Sequence, residues 1–449
     1  MTRLPWLTIA VLPVLALASP PSQRYSTGLG LVATALGVVV DSDGYAFATG
    51  LTHPAFKPPC TLPILGPADL KGPYGYITKI APDGAVVWTA CLAVPSGRAI
   101  AIDSAGAIYA AGGTTVTKLG PNGDKILASI TIASADISAI ALDKVGNVYV
   151  GGLAQDGLVT TPGAFLRACT LNVPCPGGFL AKFDATGKVL YATYSGNGTI
   201  NSIAADSHGS AWTTGTGSSL LPGARFAYSF IGRFDPDGAS VSFSKGYGGQ
   251  LAFMNWNSAY GLGITVDSND SAYAVGWRDI PGSVMDRHGY LLKINLAGNS
   301  IYTDLGTNVL PTSVSLDPGG RIYVGMLQSY NSGAVMDCGD AVTPSTLTVY
   351  SSGGATVLNS AFLPRTPWAV AVDGAGNVYV VGGSNGFAAT SYDMTENMAV
   401  HLDCLVNAAS PPAGDEAVAA GEIISLFGKG FTPGPQLTVT FDGYPAPIL

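Results

Sequence analysis

The chain has 449 residues, including 59 Gly and 30 Pro, with only 11% charged residues and a formal charge of −8. Its 47% hydrophobic content is ample for a large core and excludes general disorder. Glu occurs only at Glu396, Glu416 and Glu422, which argues strongly against a helical fold and leaves no HExxH site, EF-hand or Glu general base in the first 395 residues.

In chain order, Arg3 opens a positive segment and Leu4 to Leu17 form a short apolar stretch broken by Pro5 and Pro13. Ala16-Leu17-Ala18 is a small-x-small site, so residues 1–18 read as a secretory signal peptide cleaved before Ser19. The stretch is too short to cross a bilayer comfortably, and no later run reaches 18 apolar residues. The expected mature protein is therefore soluble, without a membrane span, and secreted or held in the cell envelope. The 21 basic residues form no run, which argues against nucleic acid as a partner.

From Val40 onward one pattern recurs: apolar residue, Asp, a small turn often ending in Gly, then an aromatic residue and small residues. Its copies are VDSDGYAFATG, IDSAGAIYAAG, LDKVGNVYVGG, ADSHGSAWTTG, VDSNDSAYAVG, LDPGGRIYVGM and VDGAGNVYVVG. The repeated acids Asp41, Asp103, Asp143, Asp206, Asp267, Asp317 and Asp373 lie on average about 55 residues apart. A basic-centred run follows each aromatic run, as in YITKIAPDG from Tyr76 and LAKFDATG from Leu180. In the sixth copy it decays to LTVYSSGG, and in the seventh it is read as VHLDC from Val400. A Tyr- or Thr-rich run comes next, as in VLYATYSG from Val189. Four short strands repeated seven times, punctuated by Asp-x-x-Gly and Pro-Asp-Gly turns, predict an all-β, seven-bladed β-propeller of four-stranded antiparallel blades. The seventh copy lacks a fourth strand. Arg24 to Gly28 resembles Tyr191 to Tyr194 and is expected to supply it, closing the ring.

Val372–Gly382, Ala181–Gly187 and Tyr191–Gly196 match the three segments of the bacterial SBBP-type propeller repeat, itself similar to NHL repeats. The resemblance covers residues 24–404. It implies the fold and carries no common catalytic set. Seven-bladed propeller lyases of similar fold rely on His and Glu, which the scarcity of Glu argues against here. From residue 405 the pattern changes, and Gly421-Glu422-Ile423-Ile424-Ser425-Leu426-Phe427-Gly428 looks like the opening of an Ig-like domain. The 45 residues 405–449 fall short of the roughly 100 such a sandwich needs, so a truncated domain is expected, or a tail packed on the propeller.

Each repeated Asp is best explained by its own turn rather than by a cation. Lys79, Lys118, Lys182, Arg233, Lys293 and His401 share one repeat position, where stems pack between blades and heads pair with turn carboxylates. The aromatic series from Phe47 to Tyr379 is expected to pack between blades.

Function must then sit where repeats differ. Strand alternation places the long loops 51–74, 153–178 and 245–261 on one face. There Trp256, Tyr260, Trp277, Arg278, Asp279 and His288 form the candidate ligand site, of a kind that suits protein or glycan. No metal or other cofactor is implied. The expected protein is a monomeric, non-catalytic binding or scaffold module for an extracellular protein or polysaccharide. The alternative is a lyase or hydrolase using Asp279 and His288. Six Cys in an exported chain favour disulfides. Loop ends on one face predict Cys60–Cys91 and Cys169–Cys175, with Cys338 and Cys404 unpaired or pairing beyond residue 449.

Overall fold

The computed structural model describes residues 22–28, 33–52, 60–66, 75–93, 97–169, 175–196, 198–217, 229–247, 259–279, 287–328, 345–363, 366–382 and 388–393. It also describes the backbone of 401–407, 424–429, 439–441 and 444–446. Strands dominate, and no helix is present among the described residues. Among the described residues no helix is long and apolar enough to cross a membrane.

Seven four-stranded antiparallel sheets follow one another as the predicted propeller. Blades 1 to 6 are meanders spanning residues 33–92, 99–131, 135–196, 198–247, 259–307 and 309–363. Blade 7 takes Pro367–Val372, Asn377–Gly382 and Ala388–Asp393, and its outer strand is Ser22–Gly28, from the other end of the chain. Ser26 pairs with Thr390 and Gly28 with Ala388, so the ring closes as the sequence predicts. One element differs. The third strand of blade 7 is Ala388–Asp393, not the run from Val400, and His401–Asn407 pairs instead with Ile424–Lys429. Tyr379 therefore faces Ser391 across the ladder, and His401 does not occupy the basic position of this blade.

The turns explain the repeated Asp. Asp41 Oδ1 accepts from the amides of Asp43 at 3.0 Å and Tyr45 at 2.8 Å. The same pair of bonds recurs at Asp103, Asp143, Asp206, Asp267 and Asp373. In six blades a Gly closes this turn with φ of 78–86°, a conformation that costs an L side chain. The second Asp oxygen is 2.9–3.2 Å from the hydroxyl of Tyr109, Tyr149, Tyr273, Tyr323 or Tyr379. Trp212 has no hydroxyl, and in its blade Arg233 Nε donates to Asp206 Oδ2 at 2.8 Å.

The aromatic series is buried between blades. Lys79, Lys118, Lys182 and Lys293 place Nζ 4.8–5.1 Å above the rings of Phe47, Tyr109, Tyr149 and Tyr273. Lys118 and Arg233 pair with Asp103 and Asp206 as expected, at 3.5 and 2.7 Å. Lys182 and Lys293 instead donate to carbonyls of the next blade, Gly209 and Ser352, each at 3.0 Å.

The second set of turns forms the seams. A Cβ on Gly123 would lie 2.6 Å from the Trp88 ring of the preceding blade, and one on Gly238 would lie 2.4 Å from Tyr191. At these two seams the outer-strand aromatic of one blade seats on the glycine turn of the next.

Both predicted disulfides are present, Cys60–Cys91 and Cys169–Cys175, each with Cα atoms 5.6 Å apart. Cys338 and the proposed signal peptide lie outside the described residues.

Candidate functional site

Inside each blade the chain alternates direction, so the Asp turns and the glycine seam turns share one face. The loops between second and third strands, and between blades, share the other. Blade 5 ends on that loop face with Ala259–Val266, Ala272–Asp279, Arg287–Ile294 and Ser300–Thr307.

Register decides which predicted residues meet. Tyr260 lies opposite Trp277, and their rings stack with centroids 4.6 Å apart. Arg287, which the sequence reading did not single out, lays its guanidinium 4.5 Å from the Trp277 ring centre. Asp279 lies opposite Arg287 and holds its Nε at 3.6 Å. Tyr260 is 37% exposed while Trp277 is buried, so a supported aromatic surface faces outward with a guanidinium and a carboxylate beside it.

Arg278 and His288 form the next register row. Because side chains alternate along a strand, this row projects from the other side of the sheet. Asp279 and His288 are therefore not brought together. The His288 carboxylate partner is Asp304, with Nδ1 to Oδ2 at 2.9 Å, and its Nε2 lies 3.0 Å from Thr307 Oγ1. Arg278 sits 5.4 Å from the Tyr302 ring centre, and its buried Nε has no hydrogen-bond partner among the described residues. Tyr290, fully buried behind this row, stacks with Tyr247 and Tyr302 and shares a 2.8 Å hydrogen bond with Ser229. Burial pushes its phenol far above the ordinary value. Trp256 lies outside the described residues.

The seven inner strands also enclose a central channel of about 190 Å³. Six of them bulge at one position, occupied by Leu36, Ser138, Asn201, Leu262, Thr312 and Trp368. Arg98 is the corresponding channel residue of blade 2. Where this residue is polar, it reaches the next blade. Ser138 donates to Ile200 O at 2.6 Å, Asn201 Nδ2 to Gly261 O at 2.9 Å, and Thr312 to Pro367 O. Arg98 meets Asp136 at 3.0 Å. The residue two further on is Val or Ile in all seven blades. Trp368, 44% exposed, completes the wall.

Sequence reasoning missed Tyr302, Asp304 and Trp368, which fall in runs that read as scaffold, and Arg287 and Thr307, which lie just outside such runs. A position-by-position comparison of blades carries the signal. Asp304 occupies the outer-strand position held by Cys91, Thr131, Tyr194 and Gly246 in blades 1 to 4.

No family model matches this sequence, and no curated protein matches it. Solved structures do match. A streptogramin B lyase structure is 12% identical with a TM-score of 0.50, covering 82% of this chain and 97% of that one. The Pan2 WD40 domain of Neurospora crassa is 10% identical with a TM-score of 0.53, covering 86% of this chain and all of that one. A chain of the mitotic checkpoint complex is 10% identical with a TM-score of 0.51, covering 86% of this chain and 95% of that one. At such identities the likeness is one of fold, and the chain is a seven-bladed β-propeller.

Proposed function

We propose that this chain is an exported propeller of the bacterial SBBP type, followed by the start of an Ig-like domain, that works as a monomer by binding an extracellular polysaccharide through its loop face. One observation carries the reading: the Tyr260–Trp277–Arg287 stack with Asp279 beside it. An exposed aromatic ring on a rigid strand suits the apolar face of a sugar, and the adjacent guanidinium and carboxylate suit its hydroxyls. Strands hold these groups, so little order is lost on binding. The export signal and two disulfides support an extracellular setting.

A protein ligand is the second reading. It is favoured by the similarity to a propeller that forms part of a checkpoint complex and to a WD40 domain. A lyase or hydrolase built on Asp279 with His288 draws no support from the geometry, because the two residues project from opposite sides of the sheet. Glycan-array screening of the full chain tests the proposal. Binding of a polysaccharide that falls at least tenfold in Tyr260→Ala supports it. Retention of only proteins from culture supernatant, lost in the same variant, replaces it with the second reading.

A further inference from the structure

We propose that Asp304, His288 and Thr307 form a nucleophilic site that cleaves small carboxylic esters at the loop end of blade 5. This goes beyond the binding role and does not rest on it.

The geometry fixes the direction of proton movement. Asp304 is an acceptor when ionised, so the proton of His288 sits on Nδ1, 2.9 Å from the carboxylate. Nε2 then presents its lone pair to the Thr307 hydroxyl, 3.0 Å away. A carboxylate orienting a base, and that base accepting from a hydroxyl, is the arrangement that activates an alcohol as nucleophile. The Gly306 amide donates to Asp304 Oδ1 at 2.8 Å and anchors the carboxylate. Although burial acts to raise the Asp304 carboxyl, the His288 and Gly306 bonds hold it below the ordinary carboxylate range. His288 and Asp304 side chains remain 23% and 46% exposed, so a substrate can reach them.

Two comparisons within the chain separate this cluster from scaffold. His208 also meets a carboxylate, Asp270, but its nearby hydroxyl, Ser207, lies on the same Nδ1 side at 3.5 Å, so no relay exists there. The repeat also offers no reason for these residues. The other blades place no acid at the Asp304 position, and blades 2 and 3 carry glycine, Gly113 and Gly177, where blade 5 has His288.

In the reaction, Thr307 Oγ1 attacks the ester carbonyl carbon while His288 Nε2 takes the hydroxyl proton. The carbonyl oxygen becomes an oxyanion on the side of the Arg278 guanidinium, which shares the His288 register row. The carbon–alkoxy bond breaks, and His288 returns its proton to the departing alcohol. Water, deprotonated by His288, then attacks the acyl-threonine. The acid leaves, and the proton returns to Thr307.

The test is hydrolysis of p-nitrophenyl acetate by the full chain, with mass spectrometry of acid-quenched peptides. We expect turnover above the buffer blank, an acetyl group on Thr307, and a loss of at least about 100-fold in Thr307→Val and His288→Gln. Thr307→Ser keeps the hydroxyl and should retain turnover. Matching thermal melts establish that the variants are folded. Absence of turnover in the folded parent chain overturns the proposal. So does an undiminished rate in Thr307→Val, or acetyl found only on another residue.

Discussion

Asp270 in the blade 5 turn accepts two hydrogen bonds from Ser207 in the blade 4 turn, 2.8 Å from its amide and 2.7 Å from its hydroxyl. Asp270 stands where the six other repeated turns carry Gly, and it adopts φ 60° to do so. The strain is retained because the carboxylate latches two blades together, with His208 3.1 Å away.

The latch should be acid-labile. Burial pushes the Asp270 carboxyl up, but the Ser207 bonds together with His208 and Arg233 hold it below the ordinary value. A folded value below the unfolded one gives stability that is present above about pH 4 and is lost as pH falls further. Asp270→Asn should lower the melting temperature at pH 7 and narrow its gap from the parent protein as pH drops through that window. A constant gap from pH 7 to pH 3 would count against the latch.

The seam glycines of blades 1, 2 and 4 leave no room for a side chain. Gly238 has φ +69°, and a Cβ there would sit 2.4 Å from the Tyr191 ring. Gly238→Ala combines left-handed strain with overlap against a buried aromatic and should cost about 2–4 kcal/mol in denaturant unfolding. Gly353→Ala has open space around its Cβ and should be nearly neutral, providing the control.

Ring closure depends on Ser22–Gly28. Tyr25 packs on Gly84 of blade 1, and Thr27 Oγ1 donates to Gly84 O at 2.6 Å. Deleting residues 22–28 exposes the Ala388–Asp393 edge and should lower the melting temperature more than any single seam substitution. Closure also predicts alkaline sensitivity. Burial raises the Tyr25 phenol to about 12, as it does those of Tyr247 and Tyr350. These folded values exceed the unfolded value near 10, so the stability they contribute is present below that pH and is lost as pH rises toward 12. Phenolate absorbance should rise together with unfolding in that interval, not ahead of it.

The disulfides should contribute unequally. Cys60–Cys91 spans 31 residues and Cys169–Cys175 only 6. Chain entropy assigns about 3–4 kcal/mol to the first and about 2 kcal/mol to the second. Denaturant titration of Cys91→Ala and Cys175→Ala measures both losses, and the order should be Cys91→Ala greater.

Sequence alone determined the propeller, its seven blades, its closure by the N-terminal strand and both disulfides. The reason is that turn chemistry is local. Asp caps amides two and four residues ahead, and Gly supplies the conformation that closes the turn. Neither needs a distant partner, so each repeat announces itself. The choice of Ala388–Asp393 as the third strand of blade 7 was not legible. The ladder opposite Tyr379 requires only an extended segment with suitable alternation, and Ser391 meets that need without the basic residue the other blades display. The candidate sites also belong to the tertiary structure. Tyr260, Trp277 and Arg287 come from three strands, and only register stacks them. Asp304 reaches His288 from the neighbouring outer strand, 16 positions along the chain. Which side of a strand a residue faces, and which residue stands opposite it, is settled by pairing and bulges, and only those separate Asp279 from His288 while joining His288 to Asp304 and Thr307.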